Sequence, residues 1–340
     1  MKPRIFKIDP LNIDLGALKT AAEVIHNRGL VAFPTETVYG LGANALDPKA
    51  VTGIFAAKKR PLDDPLIVHI ADMGDIEKLA RYVPKAAYKL VDRFWPGALT
   101  LVLPKTELVP DLVTTGLDTV ALRMPSSPIA RKFIETAGVP IAAPSANLFG
   151  RPSPTKAKHV LNDLDGRIDV ILDGGTTEIG VESTVVECVE GKMVILRPGG
   201  VAAEEIEALT GRLEIISHEE DVVSSPGKYP QHYSPMAKVL VVENGLYQAD
   251  EVRGHIEESR AAGRKAAILA KQEHESEFRG YPLKVLGPEA DGKTCALRLF
   301  HLLREFDEEG TDVIIAEAIH EKGLGLAVMN RLRKAAGPDM

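Results

Sequence analysis

The stretch LVAFPTETVYGLG, residues 30–42, decides how the fold is read. Leu30 to Phe33 is a short apolar run of the strand kind. Two hydroxyls, a carboxylate and a phenol (Thr35, Thr37, Glu36 and Tyr39) follow at once, backed by Gly40 and Gly42. Ligands of α/β folds gather beyond strand ends, so a polar cluster there is a candidate binding loop. A polar turn with its own hydroxyl bonds is the plain alternative. On one side of the stretch Asp14 is placed to cap a helix that runs to about Asn27 and is stopped by Gly29. On the other, Asp47-Pro48 opens a helix that must end near Arg60, because Pro61 follows.

Strand-like runs continue at Leu66–Ile70, Ala98–Leu103, Thr119–Met124, Val139–Ala143, Val170–Leu172, Ser183–Glu187 and Met193–Leu196. Several have no helix between them, so a mixed sheet is expected. Residues 217–237 hold three prolines and no periodicity, the mark of a linker. A second rhythm follows: strand Lys238–Val242, helix Asp250–Ala262, strands Lys265–Ala270 and Leu283–Leu286, helix Cys295–Phe306, strand Asp312–Glu317. That alternation predicts a small parallel α/β domain. The expected division is 1–216, a linker over 217–237, and 238–340.

Hydrophobic residues make up 45% of the 340 positions, enough for two cores. Cys188 and Cys295 stand far apart with no metal-ligand spacing, which argues against a disulfide framework or a structural zinc and suits a reducing compartment. No apolar run reaches membrane-spanning length, so an intracellular protein without a membrane partner is expected. Net charge is −7; residues 1–200 carry 24 Lys/Arg against 23 Asp/Glu, far from the excess of a dedicated nucleic-acid binder.

Four more clusters carry candidate chemistry. Lys58-Lys59-Arg60-Pro61-Leu62-Asp63-Asp64 groups cations that could grip phosphates, although basic residues at a helix end also complement its dipole. Pro144-Ser145-Ala146-Asn147 runs into Arg151-Pro152-Ser153-Pro154-Thr155, a rigid loop of short donors and acceptors in which Ser153 or Thr155 could instead cap the next helix. Ser183-Thr184 starts a strand, and Arg197-Pro198-Gly199 ends one. Tyr229, His232 and Tyr233 lie in the linker. Residues 287–294, GPEADGKT, match the phosphate-loop pattern, but Glu289 and Asp291 would put carboxylates where phosphates must sit.

Taken in order, PTETVYGLG, KKRPLDDPL, PSAN with its PSPT tail, the Ser-Thr-Val-Val strand, Arg-Pro-Gly and the His-Tyr-Ser-Pro linker resemble the threonylcarbamoyl-AMP synthases in their long, two-domain form. The resemblance implies a twisted, open, mixed-sheet α/β domain of the YrdC-like kind and a smaller Rossmann-like domain. It implies a cytoplasmic nucleotidyltransferase that joins L-threonine, bicarbonate and ATP, with Mg²⁺ carried by the nucleotide. The adenylate and pyrophosphate are the products, and a downstream threonylcarbamoyl-transferase complex modifies adenosine beside the tRNA anticodon. Direct tRNA contact would be weak.

By position, the resemblance puts ATP on Lys58, Arg60, Asp64, Thr119, Ser145, Asn147, Ser153, Arg197 and Tyr233, with Lys58 and Arg60 as the catalytic cations. It puts threonine on Thr37, His69, Arg123, the backbone of Ala143, and Ser183, and it supplies no protein metal ligand. The chain departs from the family pattern at Asp64, where Asn is usual, at Phe149, and around Lys228 and Tyr229, which are shifted. Two rival readings are a phosphate-loop nucleotidase using Lys293 and Thr294, and a non-catalytic RNA-binding module on the first domain.

Overall fold

The computed structural model describes residues 2–189, 192–211, 213–216, 229, 232–243, 245 and 248–337. Most of the expected linker, including Lys228, lies outside the described residues. The chain divides into two compact units, one of residues 1–149, 153–178 and 182–228, the other of residues 150–152, 179–181 and 229–340. The last part of the expected linker, with His232 and Tyr233, thus belongs to the second unit, which also takes two short pieces from the first 216 residues.

The first unit is built on one mixed sheet. Its strands are β1 (Arg4–Lys7), β2 (Val31–Pro34), β3 (Tyr39–Asn44), β4 (Ile67–His69), β5 (Leu99–Pro104), β6 (Thr119–Arg123), β7 (Ile141–Ala142), β8 (Val170–Asp173), β9 (Thr184–Val189), β10 (Lys192–Arg197) and β11 (Glu214–Ile215). They lie in the order β1-β8-β2-β3-β7-β4-β6-β5-β9-β10-β11. β4 runs parallel to β6 and β5 parallel to β9, whereas β5 and β6 are antiparallel. The mixed sheet expected from strands without intervening helices is therefore present.

The helix Leu15–His26 forms as Asp14 predicts, with the Asp14 carboxylate accepting from the Gly16 and Ala17 N–H groups. It buries Leu18, Ala21 and Ile25 against Phe133 and Ile134 of the helix Pro128–Ala137. Each such large apolar side chain contributes about 1.5–3 kcal/mol when fully buried. Its stop differs from expectation. Arg28, with φ of 64°, takes the left-handed position. Gly29 is needed for space instead, since a Cβ there would lie 2.5 Å from Val24 Cγ1. The PTETVYGLG glycines serve packing too: a Cβ on Gly42 would meet Ile141 Cγ2 at 2.7 Å and Phe33 at 2.9 Å. β3 can thus be a strand where the sequence reads as a polar loop.

The second unit holds a four-stranded parallel sheet of β12 (Lys238–Val242), β13 (Ala266–Lys271), β14 (Leu283–Gly287) and β15 (Val313–Glu317), ordered β12-β15-β13-β14. The phosphate-loop look-alike joins β14 to the helix Gly292–Glu308. There the Asp291 carboxylate accepts from the Thr294 N–H at 3.1 Å and from its hydroxyl at 2.6 Å. Glu289 is ion-paired to Lys271 at 3.2 Å. The chain's own carboxylate thus occupies the helix N-terminus that a phosphate would need. Gly292 is there for close packing: a Cβ would sit 2.4 Å from the Gly325 nitrogen.

Candidate active site

The parallel pairing of β4 with β6 sets Ile67 beside Ala121 and His69 beside Arg123. Side chains in register on neighbouring strands share a face, so His69 and Arg123 emerge together. Thr119 falls on that face at the other end of β6, four residues before Arg123. Ile67, Ala121, Val102, Val185 and Leu196 form an apolar cluster between the two polar ends.

Arg123 is 3% exposed. Its Nη2 donates to Glu36 Oε1 at 2.7 Å and its Nε to the Gly97 carbonyl at 3.2 Å. Nη1 has no partner among the described residues. His69, also 3% exposed, has no hydrogen-bond partner at Nδ1 among the described residues. Burial, and then the Arg123 charge, push its pKa from 6.5 to about 3; the backbone groups of Ile67 and Ile141 pull it back only in part. The ring is neutral at pH 7. A buried, uncharged nitrogen and the Nη1 end of a guanidinium are thus held ready. Thr37, next in sequence to the Arg123 partner Glu36, is buried, its hydroxyl 2.7 Å from that of Thr35. Ala143 spends its N–H on the Ile67 carbonyl at 2.9 Å, which ties the Pro-Ser-Ala-Asn loop to β4.

The depressed His69 pKa has a consequence for stability. Between about 3 and 6.5 the unfolded chain holds more protons than the folded one. The contribution of the neutral ring is therefore complete above about 6.5 and is lost as pH falls toward about 3. Denaturant titration of wild type against His69→Gln is expected to show a pH slope greater by roughly 1.4 kcal/mol per pH unit in the wild type over that window.

A second group gathers around Lys58, the last residue of the helix Pro48–Lys58 and 1% exposed. Its Nζ donates to the carbonyls of Ser145 at 2.5 Å and Asn147 at 2.6 Å, with Asn147 Oδ1 at 3.5 Å. The same loop is pinned to β3, where the Ala146 N–H donates to the Tyr39 carbonyl at 2.8 Å. Beyond Lys58 the chain turns through Lys59 at φ 53°. Arg60 then folds back on its own loop, with Nε to the Asp64 carbonyl at 3.1 Å, Nη2 to the Pro65 carbonyl at 2.9 Å, and an ion pair to Asp64 at 2.8 Å.

A third group joins β5, β9 and β10. The Ser183 hydroxyl lies 2.7 Å from that of Thr100. Arg197 Nη2 donates to the Ser183 carbonyl at 2.9 Å and to its hydroxyl at 3.3 Å. Gly199 makes this possible, since a Cβ there would lie 2.4 Å from the Glu182 carbonyl oxygen. The Ser153 hydroxyl donates to Glu182. Neither Ser153 nor Thr155 caps the following helix, Ala157–Leu164: Lys156 takes the cap position, and the Thr155 N–H goes to His159 Nδ1 at 3.2 Å. Proline on both sides of Ser153 leaves that side chain for Glu182.

The structure thus draws the candidate residues into three groups: His69 with Arg123, Lys58 with Ser145 and Asn147, and Ser183 with Arg197. Arg60 and Asp64 are paired with each other. Tyr233 belongs to the second unit, where its ring packs on Phe300 at 5.5 Å and lies 5.1 Å from the Arg331 guanidinium. Glu36 and Glu182 were given no role from sequence, although Glu36 sits inside the quoted stretch. A carboxylate just past a buried strand needs a cation, and that requirement was the available signal.

An open α/β sheet carrying buried cations, hydroxyls and amides, with a guanidinium nitrogen that has no partner among the described residues beside a neutral histidine, is an arrangement that can hold a small polar ligand. Residues 23–199 match the Sua5–YciO–YrdC family, described as telomere recombination, and residues 201–337 match the family described as threonylcarbamoyl-AMP synthase, C-terminal domain. A threonylcarbamoyl-AMP synthase of Pyrococcus abyssi is 51% identical over 94% of each chain. One of Bacillus subtilis is 47% identical over 97% of this chain and 95% of its own. The crystal structure of P. abyssi Sua5 complexed with L-threonine superposes with a TM-score of 0.91 at 47% identity, covering 98% of this chain and 97% of that one. The chain belongs to the threonylcarbamoyl-AMP synthase family in its two-domain form, and it is an enzyme of the nucleotidyltransferase kind.

Proposed function

We propose that this enzyme makes L-threonylcarbamoyl-AMP from L-threonine, bicarbonate and ATP, releasing pyrophosphate, in the cytoplasm. The observation that carries most weight is the adjacent His69–Arg123 pair, in which His69 Nδ1 and Arg123 Nη1 have no partner among the described residues. A carboxylate suits the guanidinium N–H, and a hydroxyl or amine suits the neutral ring. The P. abyssi relative's complex with L-threonine supports threonine as that ligand.

In this reading threonine's amine bonds to the carbon of bicarbonate, and loss of water from that carbon leaves a carbamate. A carbamate oxygen bonds to the α-phosphorus of ATP as the bond to pyrophosphate breaks. No protein nucleophile is required; catalysis comes from positioning and from cations facing phosphoryl charge. Lys58 holds the Ser145–Asn147 loop along the nucleotide, Thr119 takes the far end of β6, and Arg197 is held ready by Ser183. Arg60, Asp64 and Ser153 complete the nucleotide contacts of the first unit. Mg²⁺ travels with ATP as part of the substrate. The adenylate then serves a downstream transferase complex that modifies adenosine next to the tRNA anticodon.

The test omits L-threonine, bicarbonate, Mg²⁺ and ATP in turn. Pyrophosphate and an AMP adduct are expected only when all four are present. ATP hydrolysis indifferent to threonine would overturn the reading and shift attention to Lys293 and Thr294.

A further inference from the structure

The Arg123 guanidinium is committed on two of its three nitrogens, to Glu36 and to Gly97. Glu36 is committed more fully. Its Oε1 takes Arg123 Nη2 at 2.7 Å, and its Oε2 accepts the Ser126 N–H at 3.1 Å and the Ser127 N–H at 3.4 Å. Its main-chain carbonyl accepts the Glu178 N–H at 3.1 Å. The two side chains are 4% and 3% exposed, so the ion pair is buried. With His69 neutral, this patch holds one positive and one negative charge, which sum to zero.

We propose that Glu36 is a positioning and specificity-determining residue. It balances Arg123, so the Glu36–Arg123 pair adds no net charge to the amino-acid subsite, which accepts a zwitterion, carrying both ammonium and carboxylate, over a plain carboxylate. The inference rests on reading that site as the threonine site. A charge buried without compensation is strongly disfavoured. A neutral patch that takes a zwitterion stays neutral; one that takes a hydroxy acid gains a net negative charge. Without Glu36, Arg123 stands unbalanced and the anion becomes the better match. The same contacts fix the guanidinium plane, so Nη1 is the nitrogen offered to the ligand.

The experiment uses the full-length chain and two threonine analogues. One is 2,3-dihydroxybutanoate, in which a hydroxyl replaces the amine; the other is threoninol, which lacks the carboxylate. Threonine-dependent pyrophosphate release by the wild type is measured first, and its absence would overturn the site reading itself, separately from the role of Glu36. In the wild type both charged analogues are expected to bind at least about tenfold more weakly than threonine, the scale of one charge-assisted hydrogen bond. A hydroxy acid bound as tightly as threonine would overturn the proposal whether or not any variant folds. Glu36→Gln is expected to raise KM for threonine by about tenfold and KM for ATP by less than about twofold. It should also move the hydroxy-acid-to-threonine affinity ratio by about tenfold toward the hydroxy acid. Glu36→Asp, which keeps the charge, should leave that ratio at the wild-type value. Parallel weakening of both ligands by Glu36→Gln, with the ratio unchanged, would make the residue merely structural and sink the proposal.

Discussion

Lys58→Met is expected to lower threonine-dependent pyrophosphate release by at least about a hundredfold, the scale of removing one preorganised donor from an oxyanion site. Lys58 is a buried ammonium at a helix end with its Nζ against the carbonyls of Ser145 and Asn147. Those contacts aim the charge and hold the loop that carries Ser145 and Asn147. Methionine keeps the stem's bulk and removes the charge, leaving two carbonyls without their donor. The stability loss should be modest, about 1–3 kcal/mol, because only a local pairing is removed. Steady-state kinetics together with a denaturant melt separates the two effects. A melt shifted this little with turnover gone would mark Lys58 as catalytic; wild-type turnover would remove it from the mechanism.

Arg123→Met is expected to act on both stability and activity. Removing one member of a buried ion pair leaves the other charge uncompensated, at a cost of about 3–5 kcal/mol. Here the stranded group is Glu36, with its side chain 3% exposed. Backbone donation from Ser126 and Ser127 softens the loss, which should fall at the lower end. Threonine-dependent turnover should disappear, because the guanidinium nitrogen proposed to take the substrate carboxylate is gone. Arg123→Met combined with Glu36→Gln separates the roles. The double variant should regain most of the lost stability, since no buried charge is stranded, and none of the turnover. Recovery of turnover would show that Arg123 serves the fold alone.

Much of the fold was legible because it depends on neighbours in sequence. Asp14, and Asp47 with Pro48, marked helix starts that the structure keeps, and the strands of the second unit begin and end within a few residues of expectation. The helix after Thr155 was anticipated, though not its cap, whereas Lys85–Phe94 was not read from the sequence: it has an apolar face of Ala87, Leu90, Val91 and Phe94, but Pro84 at its start supplies no side-chain cap. β3 was missed for the opposite reason. Its glycines suggest a turn, and only the approach of Ile141 and Phe33 explains why a strand needs them.

The sequence by itself determined the membership of the family, the order of its polar clusters and the two α/β units; it set Glu289 and Asp291 against a phosphate loop in GPEADGKT, and the structure puts the Asp291 carboxylate over the helix start. The tertiary structure decided which residues meet. His69 and Arg123 are 54 positions apart and become neighbours only because β4 lies against β6. Glu36 reaches Arg123 across 87 positions, and Ser183 is placed beside Thr100 across 83. Sheet order and register bring such pairs together, and neither leaves a local trace. The same holds for charge balance: a lone Glu in a polar turn is cheap while water surrounds it, and only its burial against Arg123 makes it an essential counter-ion.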